Sequence, residues 1–79
     1  MTKNIWDVYT ALVDNLGAMF YSKPTVNVVG NTAVFFLYGE DAKCVTTATL
    51  KRWMKKAGIE AECVRIRDFS CYQYIVKVN

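Results

Sequence analysis

The run Glu62-Cys63-Val64-Arg65-Ile66-Arg67-Asp68, followed after Phe69-Ser70-Cys71 by Tyr72-Gln73-Tyr74-Ile75-Val76-Lys77-Val78, decides the fold. Both runs alternate with period two. Val64 and Ile66 carry the apolar positions of the first, and Tyr72, Tyr74, Val76 and Val78 those of the second, which is the pattern of half-buried strands. Two such strands joined by a short loop form a hairpin. Setting apolar opposite apolar pairs Ile66 with Tyr74 and Val64 with Val76, and requires a loop of three or five residues around Phe69-Ser70-Cys71. Cys63, Arg65, Arg67, Gln73, Ile75 and Lys77 then share the opposite side.

Upstream of this hairpin, Thr46 or Thr47 caps a helix with Leu50, Trp53, Met54 and Ala57 on one side and Lys51, Arg52, Lys55 and Lys56 on the other. Gly58 stands where a helix C-terminus favours a left-handed residue. Gly39 to Cys44 reads as a polar connection. Thr25 to Tyr38, rich in Val, Phe and Thr, is a second hairpin turning at Gly30-Asn31. A two-residue turn sets Val28 opposite Ala33 and Val26 opposite Phe35, leaving Thr25, Asn27, Val34, Phe36 and Tyr38 on the other side. Before it, Asn4 caps a helix with Asp7 three residues later, and Ile5, Val8, Tyr9, Leu12, Val13, Leu16, Met19 and Phe20 recur at threes and fours. Gly17 costs such a helix about 1 kcal/mol relative to Ala, so it ends near Leu16 or continues until Pro24 forbids it.

The element order is α-β-β-α-β-β. The sequence predicts an α+β fold of two layers, a four-stranded, mainly antiparallel sheet with two helices on one face. A chain of 79 residues has room for one domain, residues 1–79, and buries only about 60% of the surface it exposes when unfolded.

No apolar run reaches the roughly 18–20 residues of a membrane span, and Met1 to Asp7 lacks the basic-then-apolar order of an export signal. Cys44, Cys63 and Cys71 are odd in number, with spacings that form no C-x-x-C motif and imply no closed disulfide set. A reduced, cytoplasmic protein is expected. The net charge of +3 conceals a split. Residues 1–42 hold Lys3 and Lys23 against Asp7, Asp14, Glu40 and Asp41, a balance of −2, whereas residues 43–79 carry eight cations against Glu60, Glu62 and Asp68, a balance of +5. Such asymmetry marks either a surface for an acidic partner or an ordinary solvated face.

Catalytic groups are scarce. The chain has no histidine, which removes the commonest general base and the commonest transition-metal ligand. Three scattered cysteines make no zinc site, and the pairs Glu40-Asp41 and Glu60/Glu62 fall at turns or strand starts with no second group to shift them. Gly30, Gly39 and Gly58 are too far apart for a phosphate-binding loop. Trp6 and Trp53 sit on the apolar stripes of their helices and are expected in the core. An enzyme working through one thiol would use Cys63, on the same strand side as Arg65, but a reactive thiol needs a lowered pKa.

Two surfaces remain. Lys51, Arg52, Lys55 and Lys56 put four cations on one helical side, where they can neutralise phosphates or simply meet solvent while complementing the helix C-terminus. The sheet side away from the helices is expected to present Arg65, Arg67, Lys77, Asn27 and Gln73 beside Phe36 and Tyr38, a mixture of rings and cations suited to single-stranded nucleic acid. Its apolar members, Val34, Phe36, Tyr38 and Ile75, equally suit a protein contact. Arginines on that face oppose self-packing, so a monomer or weak homodimer is expected.

The stretch Val45-Thr46-Thr47-Ala48-Thr49-Leu50-Lys51-Arg52-Trp53-Met54-Lys55-Lys56-Ala57-Gly58-Ile59 resembles the turn and recognition helix of MerR-type and excisionase winged-helix proteins. That resemblance, over fifteen of 79 residues, implies a helix that enters a DNA major groove. The preceding Gly39 to Cys44 is shorter than those families' first helix, and the usual turn glycine is missing. Together these features predict a non-enzymatic regulatory protein, without cofactor or metal, that binds an acidic partner. Nucleic acid is the first candidate, through Lys51, Arg52, Lys55 and Lys56 with Arg65 and Arg67 secondary and Phe36 and Tyr38 stacking. The alternative is a stoichiometric protein-binding inhibitor or adaptor, of the kind small phage and mobile-element proteins often are. It would act through the apolar-aromatic sheet face or an edge strand.

Overall fold

The computed structural model of the chain describes residues 4–79. Met1–Lys3, the start of the segment read as lacking an export signal, lie outside them. No helix among the described residues is long and apolar enough to cross a membrane. Helix α1 spans Ile5–Met19 and opens as predicted, with the Asn4 side chain accepting from the Trp6 and Asp7 amides at 2.9 and 3.3 Å while the Asn4 amide donates to the Asp7 carboxylate at 2.9 Å. Ile5, Val8, Leu12 and Leu16 form its buried stripe. It runs through Gly17, where a Cβ would meet the Lys23 side chain at 3.1 Å, and the missing side chain leaves room for that stem. Trp6, expected in the core, is 60% exposed and only edges onto Tyr9. One residue past Ile5 is about 100° around the helix, enough to turn it off the buried stripe.

Strands β1 (Asn27–Val29) and β2 (Thr32–Tyr38) pair antiparallel with Val28 opposite Ala33, as the Gly30-Asn31 turn predicts. The first strand is shorter than expected. Val26 is buried but lies outside it, so its pairing with Phe35 does not form. The residues read as a polar connection instead contain a short helix, α2 (Gly39–Lys43), pinned by the buried Ala42. Helix α3 (Thr47–Lys56) begins at Thr46, whose hydroxyl accepts from the Thr49 amide at 3.3 Å. It ends at Gly58 with φ of 74°, where the Gly58 amide reaches the Lys55 carbonyl and the Ile59 amide the Met54 carbonyl. This is the Schellman arrangement, with Ile59 buried beneath it.

Strands β3 (Ala61–Asp68) and β4 (Cys71–Val78) complete one sheet of order β1-β2-β4-β3, antiparallel throughout. Helices α1 and α3 cover one face. That side of the sheet supplies Ala33, Phe35, Leu37, Tyr74 and Val76 to the core, and α1 and α3 supply Val8, Leu12, Leu16, Leu50 and Met54. The predicted α+β architecture is present, with α2 as an added turn.

The second hairpin does not have the predicted register. Its loop is two residues, Phe69-Ser70, and it places Arg65 opposite Tyr74 and Cys63 opposite Val76, with Val64 opposite Ile75 and Ile66 opposite Gln73. A one-residue slip exchanges every side chain of a strand between faces. Cys63, Arg65 and Arg67 therefore lie on the helix-covered side, and Val64 and Ile66 lie on the open side, 45% and 46% exposed. The shorter loop has the backbone twist that hairpins favour, and the Arg65 guanidinium finds carbonyl partners at Ala42 and Val45 that a solvated face would not offer.

This turn is paid for locally, because Phe69 takes φ of 57° while 92% exposed. Both hairpin turns have a positive φ at their first loop residue, the place where a type II′ turn calls for glycine. Gly30 supplies it in the first turn and Phe69 does not in the second. Replacement Phe69→Gly is expected to raise the unfolding free energy by about 1 kcal/mol by removing the left-handed penalty, measured by denaturant titration. A loss of stability would show that the exposed ring packs on the fold.

Candidate acidic-partner interface

Helix α3 exists because its cap, its Leu50–Met54 stripe and its glycine stop agree, and the same periodicity points Lys51, Arg52, Lys55 and Lys56 outward. All four are exposed. Residues four apart are neighbours on a helix, so Lys51 and Lys55 form one row and Arg52 and Lys56 the next. Like charges so arranged repel one another and gain from an anion laid across them. Lys55 and Lys56 also lie in the last turn, where cations complement the helix dipole. Among the described residues none of the four forms an ion pair; the salt bridge present joins Lys43 to Glu40 at 3.1 Å, on the exposed side of α2.

The helix rests on β3. Burial pushes the Cys63 thiol up, opposed by the nearby Lys51 ammonium, so Cys63 lacks the lowered pKa of a nucleophile. Further along β3, Arg65 and Arg67 lie on this helix side, contrary to their predicted place on the open face. The structure thus gathers all six predicted cations on one side of the molecule but gives Arg65 a different task. Its Nη1 donates to the carbonyl of Val45 at 3.1 Å and lies 3.5 Å from that of Ala42, and its guanidinium sits 4.8 Å above the Tyr72 ring. Arg67 is exposed, with its Nε donating to the Phe69 carbonyl at 3.4 Å and its guanidinium 6.0 Å from the same ring.

Tyr74 shares the carbonyls held by Arg65. Its hydroxyl lies 2.7 Å from the Val45 oxygen and 3.1 Å from that of Ala42, inside a fully buried side chain. Tyr74 and Arg65 together fasten the corner between α2 and α3 to the sheet and so fix how α3 presents its cations. Sequence reasoning missed this clamp. The signal was a tyrosine on an inward strand position, which needs a partner for its hydroxyl.

Phe36 and Tyr38, predicted to stack with the cations, are on the opposite face of the sheet. Phe36 is 39% exposed, and Tyr38 pairs across the strands with Cys71, whose thiol pushes its phenol up. The open face also carries Asn27, Gln73 and Lys77 as expected, with Glu62, Val64, Ile66 and Asp68 where the arginines were placed. The cationic and aromatic groups therefore form two surfaces rather than one. An open hollow of about 240 Å³ lies where β1 stops short, between Ser22–Pro24 and the Phe36–Tyr38 end of β2. Among the described residues no three His, Cys, Asp or Glu side chains converge as metal ligands.

The chain matches no protein-family model, no curated protein and no solved structure.

The clamp has a pH signature. Burial pushes the Tyr74 phenol up, opposed by the Arg65 guanidinium beside it. A folded pKa above the unfolded value of about 10 stabilises the protein while the phenol is protonated, and this stability is lost as pH rises through the folded pKa. Replacement Tyr74→Phe is expected to cost about 1–3 kcal/mol at neutral pH and to flatten the fall in stability above about pH 10. Tyr38 and Cys63, also raised, leave a residual slope. Denaturation midpoints of parent and variant across alkaline pH check both effects.

Proposed function

We propose that this protein is a non-enzymatic regulatory protein that binds nucleic acid through the outward side of α3. Lys51, Arg52, Lys55 and Lys56 contact phosphates, and the exposed Arg67 adds charge at the flank. The carrying observation is the exposed cation patch, without an ion pair among the described residues, on a helix whose preceding corner is held to the sheet by Arg65 and Tyr74. Arg65, engaged with backbone carbonyls, supports the helix rather than the ligand. The open sheet face lies across the sheet from α3 and takes no part.

The local likeness of residues 45–59 to recognition helices supports duplex DNA as the form to test first. Backbone contacts dominate such affinity and release counterions, about 0.9 per phosphate neutralised on a duplex. Four contacts predict a log–log salt slope of about −3.6. Fluorescence anisotropy with labelled duplex and single-stranded probes, from low to moderate salt, measures it. The double variant Lys51→Glu/Lys55→Glu is expected to weaken binding by well over tenfold while keeping the fold, at a cost of about 1 kcal/mol for the anion placed in the last turn of α3. No binding at tens of micromolar protein in low salt, or binding indifferent to that charge reversal, overturns the proposal.

A further inference from the structure

The geometry points to the free edge of β3 as the docking site for an extended segment of a protein partner, one that alternates acidic and apolar side chains and adds a further strand to the sheet. In the order β1-β2-β4-β3 the last strand has a neighbour on one side alone. Its hydrogen-bonding parity is set by the two-residue turn, which makes Asp68 and Cys71 the closing pair, and by the Asn79 amide donating to the Glu60 carbonyl. Glu62, Val64, Ile66 and Asp68 thus turn their amides and carbonyls to β4. Ala61, Cys63, Arg65 and Arg67 turn theirs outward, and no hydrogen bond among the described residues reaches them.

Edges of this kind are ordinarily short, kinked by a bulge or interrupted by proline. Strand β3 has eight residues paired without a gap, and it holds neither proline nor glycine. Each of those residues is exposed or half-buried. The opposite edge, β1, is three residues long and turns outward only Val28.

Backbone chemistry selects the class of occupant. Amide donors alternating with carbonyl acceptors at strand spacing are matched by another extended chain, whereas phosphates, which accept but do not donate, leave the carbonyls without partners. Charge then selects which chain. An antiparallel strand laid on this edge places its residues opposite Cys63, Arg65 and Arg67 on the helix side. There Arg67 is exposed and the Lys51 ammonium lies near the Cys63 thiol, so carboxylates at these positions meet cations. The intervening residues fall beside the exposed Val64 and Ile66, at the non-hydrogen-bonded positions where side chains approach most closely, and apolar groups there cover both. A second copy of β3 lacks this pattern, because it carries Arg65 and Arg67 on the side where the site calls for acids. The inference does not rest on the nucleic-acid reading, since it uses the backbone edge of β3 rather than the outward side of α3.

The probe is a labelled peptide of alternating Glu and Val, capped at both ends and about as long as β3, titrated into the full chain and followed by fluorescence anisotropy. Saturable binding in the micromolar range is expected. At saturation the amides of Cys63, Arg65 and Arg67 are expected to exchange about tenfold more slowly or better, read by NMR, while that of Val28 on the other edge keeps its rate. A probe N-methylated at two successive central residues loses a donor towards β3 in either strand direction and is expected to bind about tenfold more weakly or worse, as is a probe with Lys in place of Glu. Arg67→Ala, which removes the charge, is expected to weaken binding several-fold. Arg67→Pro also removes the outward amide, at a place where an edge strand accepts proline, and is expected to abolish it. Both variants lose the same charge, so nucleic-acid affinity responds to them alike and the two readings fail separately. Far-ultraviolet circular dichroism checks that each variant folds, and the exchange measurement on the parent chain needs no variant. No saturable binding at millimolar peptide, binding that survives methylation, or equal binding of the Lys probe overturns the inference. So does slow exchange of the same three amides without peptide, which assigns the edge to a second copy of the chain.

Discussion

The buried hydroxyl of Tyr74 is the contact on which the rest of the arrangement depends. Its ring stacks on Phe35 at 4.7 Å with nearly parallel planes, at the middle of the β2–β4 ladder, and its oxygen reaches across to the last carbonyls before α3. A phenol in such a place must find a partner or forfeit its solvation, a cost of about 1–3 kcal/mol. The polypeptide meets that demand by folding α2 and the Cys44–Thr46 link down over the sheet. Once Tyr74 faces the helices, the alternation of β4 is settled, and the opposing residue on β3 is Arg65, whose guanidinium completes the hydrogen bonding of the same carbonyls.

This dependence explains which parts of the molecule were legible from residues alone. Helix α1, helix α3 and the first hairpin announce themselves through neighbours: Asn4 with Asp7, Thr46 with Thr49, Gly58 after Lys56, and Gly30 before Asn31. The cationic side of α3 was legible for the same reason, since helical spacing alone puts Lys51 and Lys55 in a row. The β3 register was not. Val64 and Ile66 carry a clear apolar alternation, yet the competing parity of Cys63, Arg65 and Arg67 is the one in which Arg65 finds partners twenty or more positions away, and nothing local records a carbonyl waiting at Val45.

The slip of one residue also reassigns surfaces. It draws the arginines to the side that α3 already charges, and it trades them for Val64 and Ile66 on the side that water sees. The cations and the rings that sequence reasoning combined into one binding face are thereby divided between the two sides of the sheet. Arg65 lies over the Tyr72 ring at 4.8 Å and Arg67 at 6.0 Å, so both charges sit beside one aromatic face.

The strand order has a kinetic consequence. The two central strands, β2 and β4, are the paired strands farthest apart in sequence, and the stacked rings at their centre are thirty-nine positions from each other. Helix α3 and the β3–β4 hairpin are assembled from near neighbours and can form early, but the ladder that unites the molecule requires closure of a long loop before any of its contacts are gained. Folding should therefore be limited by the arrival of the N-terminal half on an already formed C-terminal unit. During synthesis the N-terminal half emerges first and must wait, with Phe35 and Leu37 uncovered, for the strand that completes it.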